Sequence, residues 1–188
     1  RGFDRFYGTI TGAGSFFDPN TLTRDNEYIS PYADPEYQPE RFYYTDAISD
    51  HAAKFIEEHS AMKGGDPLFC YVAYTAPHWP MHALPEDIAK YQGKYRKGWD
   101  QLREERRARM VEMGLIKDTW ALSPRDATTW PWADERDKDL LDLKMAIYAA
   151  QVERMDAGIG RVLAKIEAAL GDDDPFGSAR ARLAGRDL

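Results

Sequence analysis

One row of apolar residues narrows the fold more than any other feature of the chain. Leu141, Met145, Tyr148, Val152, Met155, Ile159, Val162 and Ile166 are spaced alternately by four and three. That spacing puts them on one face of a helix and predicts a long amphipathic helix over 136–170. Such a stripe must be covered. A coiled coil would suit the spacing, but Gly158 and Gly160 weaken it. Packing against a sheet is the expected solution.

A candidate for that sheet stands earlier in the sequence. Leu68-Phe69-Cys70-Tyr71-Val72-Ala73-Tyr74 is the longest unbroken apolar run. It reads as a strand buried on both faces, the kind found in parallel sheets. At seven residues it is far short of the roughly 20 that a membrane span needs. A helix is expected before it over 45–63, with Thr45 as N-cap and Gly64-Gly65 as stop. Helix followed by buried strand indicates α/β. Short helices are expected over 85–91 and 99–113, the second charge-rich and read as a solvated face rather than a nucleic-acid patch. Residues 1–44 and 117–135 read as loop. Gly12 and Gly14 read as a tight turn needing positive φ, since Phe17 stands where a dinucleotide fingerprint needs a third Gly.

The segment after the apolar run holds the most chemistry. Thr75-Ala76-Pro77-His78-Trp79-Pro80-Met81-His82 carries two of the 4 histidines. Its prolines exclude a regular helix. In α/β sheets, ligands sit outside the carboxyl ends of strands, and this segment is such an end. His78 and His82 lie four apart, but Pro80 denies them the shared helical face that a metal pair would use. His51 and His59 are expected to be surface or half-buried. Cys70, the only cysteine, excludes an internal disulfide. Inside a buried strand it should behave as a small hydrophobe rather than a nucleophile. Net charge is -7, so the chain carries no basic nucleic-acid footprint overall.

Three segments then resemble a known family. Arg1-Gly2-Phe3-Asp4-Arg5-Phe6-Tyr7-Gly8, followed by Phe16-Phe17-Asp18-Pro19, is similar to a stretch of the sulfatases beyond their first active-site half. Ala73 to Ala83 resembles their histidine loop. Tyr148 to Gly160 resembles the helix before their second set of metal ligands. The resemblance, nearest to bacterial arylsulfatases of the alkaline phosphatase superfamily, implies an α/β alkaline phosphatase-like domain. Residues 1–170 would be its central part and 171–188 a divergent, disordered tail. It implies hydrolysis of sulfate esters by a formylglycine hydrate made from a C/S-x-P-x-R motif, with calcium held by Asp and Asn oxygens. It gives His78 the catalytic role beside the sulfate, with His82 and Trp79 also binding substrate.

No C/S-x-P-x-R surrounds Cys70, and no Asp-Asn-Gly strand follows the long helix. The chain therefore reads as an incomplete piece without nucleophile or metal ligands, inactive alone. A phosphodiesterase or phosphonate hydrolase of the same superfamily is the alternative enzyme, and a non-catalytic remnant or interaction module the alternative of another class. The expected partner is a small-molecule sulfate ester, with no nucleic acid and no membrane span. The sequence begins at Arg1, so the amino-terminal part is read as missing. Compartment, cytoplasmic or periplasmic in a bacterium, and oligomeric state stay open.

Overall fold

The computed structural model describes residues 2–62 and 66–170. The expected disorder of 171–188 lies outside the described residues. Three short strands, β1 (Tyr7–Thr9), β2 (Leu22–Arg24) and β3 (Glu27–Tyr28), are followed by helices α1 (Tyr44–Ala61), α2 (Pro85–Ala89), α3 (Gly98–Glu112) and α4 (Lys138–Leu170). A 3₁₀ turn, Trp132–Asp134, precedes α4. No described helix is long and apolar enough to cross a membrane.

The mixture of helix and sheet is as expected, but the sheet is small and antiparallel. Its order is β1-β2-β3, with Gly8 opposite Thr23 and Arg24 opposite Glu27. Residues 1–44 are thus not all loop. Asp25, at φ +52°, turns the chain between β2 and β3, and its carboxylate accepts the Phe6 N–H at 2.8 Å. The Asp side chain tolerates that left-handed turn. Positive φ falls at Thr21 and Asp25 rather than at Gly12 and Gly14.

The run Leu68–Tyr74 departs further from expectation. It is extended, yet no ladder pairs with it among the described residues. Val72 and Tyr74 turn inward onto the helices, whereas Phe69 and Tyr71 are 77% and 74% exposed. Cys70 is exposed as well, not buried. A strand buried on both faces needs neighbours on both edges, and the described residues supply none.

α1 and α4 run side by side in the same direction, as Asp46–Arg154, Asp50–Arg161 and Glu57–Lys165 ion pairs show. The contact face of α4 is not centred on the large apolar stripe. Asp142, Ala146, Ala150, Gly158 and Val162 are buried, while Met145, Tyr148 and Ile159 are about two-fifths exposed. Those buried residues follow an i±4 ridge, and small side chains let two helices approach closely. Hydrophobicity picks out the bulkiest residues, but close packing selects the smallest.

α1 begins one turn-position earlier than its capping pattern suggests. Tyr43 is the N-cap, without a side-chain bond, and Thr45 lies buried inside the helix. His51 is also buried, at 5% exposure, contrary to the surface reading. Its ring stacks on Tyr7 at 3.5 Å, and its Nδ1 donates to the Ala47 carbonyl at 2.8 Å. His59 is half-buried.

α3 forms a separate hairpin with the loop that follows it. Two of its arginines do more than face solvent. Arg103 donates to the Ser123 carbonyl, and Arg107 to those of Asp118 and Trp120. Gly98, at φ +84°, is required where it stands, because a Cβ there would overlap the Trp132 ring.

Candidate functional site

The histidine loop hangs between the extended run and α2. Both of its proline bonds, Ala76–Pro77 and Trp79–Pro80, are cis. The His78 N–H donates to the Thr75 carbonyl at 2.9 Å and closes a turn. Ala76 and Leu84, at the two ends of the loop, are buried. The tip stands in solvent, with His78 exposed and Trp79 at 63%.

The ends of the loop are anchored by residues far away in sequence. Ala76 and Leu84 share a core cluster with Phe16 and Tyr43, and Phe17 and Met155 pack against it. The Tyr43 hydroxyl donates to the His82 carbonyl at 2.9 Å. Burial pushes that phenol up to about 12, so it remains a donor throughout the neutral range. The Phe16 N–H points to His82 Nδ1 at 3.4 Å, while the Phe16 carbonyl accepts from the Tyr44 N–H at 2.7 Å. Tyr74, just before the loop, bonds through its hydroxyl to Ser49 at 2.9 Å. Gly158 faces that pair so closely that a Cβ would overlap Ser49 Oγ.

These bonds fix which nitrogen of each ring carries hydrogen. His78 Nδ1 lies 2.9 Å from the Trp79 carbonyl, which can only accept. In the neutral ring Nδ1 holds the proton and Nε2 is the acceptor. His82 is the reverse, because its Nδ1 accepts from a backbone N–H, leaving Nε2 as donor. The His82 ring sits among Phe16 and Phe17, with centroids 6.3 and 5.9 Å away. His78 and its neighbour Trp79 thus face out, and His82 is set into the aromatic wall behind them.

Other reactive groups are absorbed by the fold. Partial burial pushes the Cys70 thiol up, which disfavours the thiolate. Asp142 accepts the N–H groups of Gly93 and Tyr95 at 2.7 and 2.8 Å and fixes the turn after α2. The groove between α1 and α4 is lined by Asp50, Glu57, Arg161 and Lys165, which pair with one another. No group of three or more His, Cys, Asp or Glu converges to hold a metal ion among the described residues. The described residues do not fit a calcium site.

The three sequence segments quoted above thus meet around a single loop. The sulfatase family profile matches residues 1–175. The chain belongs to the sulfatase family. Its relatives include an uncharacterized sulfatase of Schizosaccharomyces pombe, 30% identical over 176 residues. An arylsulfatase of Klebsiella aerogenes is 27% identical over 175 residues. Each alignment covers 87% of this chain but only 31% and 36% of the respective relative, so the chain spans about a third of their length. Membership in the sulfatases points to an alkaline phosphatase-like fold.

Of the sequence-derived site residues, His78 and Trp79 lie together at the loop tip and His82 lies behind them. Phe16, Phe17, Tyr43 and Tyr74 were not expected to support the site. The Phe16-Phe17-Asp18-Pro19 segment was the available signal, but nothing local in it shows that it reaches residue 82.

Proposed function

We propose that this chain forms the histidine-loop side of a sulfatase active site that hydrolyses sulfate esters, aryl sulfates among them. One observation carries the reading. A loop anchored at both ends by buried contacts leaves His78 exposed at its tip, with Nε2 unpartnered among the described residues. A histidine kept only for packing would be buried, as His51 is.

In this reading His78 is the group beside the scissile oxygen. The Trp79 carbonyl holds Nδ1–H, so Nε2 first takes up a proton from solvent, and the resulting imidazolium passes it to the ester oxygen as the S–O bond breaks. The leaving alcohol takes that proton, and water supplies the oxygen that converts the sulfuryl group to sulfate. His82 presents Nε2–H and binds the substrate by a hydrogen bond, while Trp79 covers it. The nucleophile is not drawn from this chain, because no C/S-x-P-x-R occurs in it. The 188-residue chain alone should therefore give only background hydrolysis.

The test is hydrolysis of 4-nitrophenyl sulfate and bis(4-nitrophenyl) phosphate by the full-length gene product, with calcium supplied. His78→Ala should lower kcat about 10²–10⁴-fold. His82→Ala should mainly raise KM. Wild-type kcat in His78→Ala would leave the loop a purely structural role. Faster turnover of the phosphate diester would move the protein to the phosphodiesterases of the same superfamily.

A further inference from the structure

Behind the His82 wall lies a cleft of about 570 Å³, within the usual size of small-molecule sites. Its walls are the rings of Phe17, Tyr32 and Phe42, with Pro31 and Pro39 between them. Phe17 is common to both places: its ring lines the cleft and lies 5.9 Å from the His82 ring. The cleft is therefore one aromatic ring away from the histidine loop. Tyr32 is 72% exposed, yet it is tied down by its hydroxyl, which donates to the Phe17 carbonyl at 3.2 Å.

The charges at the cleft exclude an anion as its occupant. Arg41 lines it, but its guanidinium is already engaged by Glu86 of α2. Glu40 adds an acidic group at the same place. What remains is a surface of three aromatic residues, two prolines and Gln38, which suits an uncharged, flat group. Proline and aromatic side chains lose little freedom on binding one.

We infer that this cleft receives the aromatic ring of the sulfate ester's alcohol part, stacked on Phe17 and Tyr32 with the sulfate directed toward His82 and His78. The inference rests on the sulfatase reading for the direction of the sulfate, but not for the ring. Residues 31–42 and Phe17 would then set substrate preference, while the histidine loop supplies the chemistry.

The experiment is NMR shift mapping on the full 188-residue chain with three probes: 4-nitrophenol, sodium sulfate and 4-nitrophenyl sulfate. 4-Nitrophenol and 4-nitrophenyl sulfate should move the signals of Phe17, Tyr32 and Phe42, and sodium sulfate should not. The sulfate-bearing probes should move His78 and His82. Tyr32→Ala, at an exposed side chain that the fold does not need, should weaken 4-nitrophenol binding about tenfold. Phe17→Leu should weaken it further, with an unchanged urea midpoint showing that the variant is folded. Shifts of 4-nitrophenol confined to other residues, or unchanged affinity in Tyr32→Ala, would overturn the cleft. Ring binding there with no response of His78 or His82 to sulfate would uphold the cleft and sink the sulfatase assignment of the loop instead.

Discussion

Gly158→Ala isolates a close approach between α1 and α4. In a solvent-facing helix this change adds about 1 kcal/mol of stability. Here the new Cβ would overlap Ser49 Oγ and lie 3.3 Å from both Ser49 Cβ and Tyr74 Oη. Ser49 can escape only by rotating. It then gives up its bond to Tyr74 at 2.9 Å and its bond to the Thr45 carbonyl at 3.0 Å. Two hydrogen bonds at about 0.5–1.5 kcal/mol each offset the helix gain, for a net loss of up to about 2 kcal/mol. The upper figure corresponds to roughly 4–8 °C in Tm for a chain of this size. Urea denaturation of the four proteins of a cycle with Ser49→Ala measures it. Once Ser49 Oγ is gone, Gly158→Ala should be neutral or stabilising, giving a coupling of about 1–3 kcal/mol. If Gly158→Ala alone stabilises the chain by the full helix increment, α1 and α4 do not meet as closely as described. Tyr74 leads directly into the histidine loop, so the same variant should also broaden the NMR signals of residues 75–78.

The remaining expectations are of three kinds. Burial pushes His51 below the ordinary histidine value, the bond to Ala47 acting against it, with Tyr7 and Tyr37 against the ring and Arg24, Asp34 and Lys54 nearby. The unfolded chain therefore takes up a proton that the folded chain resists. Stability present above about pH 6.5 is lost as pH falls toward the lower folded value, so the urea midpoint should drop between pH 7.5 and 5.5. His51→Gln should flatten that slope, and an unchanged slope would clear His51 of the effect. Arg24 and Asp34 form a two-pronged pair at 2.8 and 2.5 Å, and Asp34 is 2% exposed. Asp34→Ala leaves the guanidinium only its longer contact with Glu36 at 3.5 Å and should cost about 3 kcal/mol, whereas a paired Arg24→Met and Asp34→Leu replacement should cost much less. In the full-length gene product, the kcat and KM of His78→Ala and His82→Ala should diverge as described above.

Much of the helical content was legible because it is written in short-range patterns. The 3.6-residue period marks α1 and α4, and Pro85 opens α2 as its place at a first turn suggests. The face of α4 was not legible, since periodicity weights Met145 and Tyr148 over Ala146 and Ala150. The strand at Leu68–Tyr74 was misjudged for a different reason. Its composition records the surroundings it is suited to, and the described residues do not provide them. The short strands escaped notice because three residues cannot show alternation. At the site, His78, Trp79 and His82 stood out through the prolines around them. The support from Phe16, Tyr43 and Tyr74 is a matter of tertiary contacts across 25 to 66 residues, which no local pattern encodes.

The extended run before the loop also carries a fixed register. Val72 and Tyr74 are already committed to the helices, Tyr74 by a hydrogen bond as well as by packing. Successive strand residues face opposite sides, so a slip by one position would expose both and break that bond. Any strand that later joins along Leu68–Tyr74 must accept the register it finds.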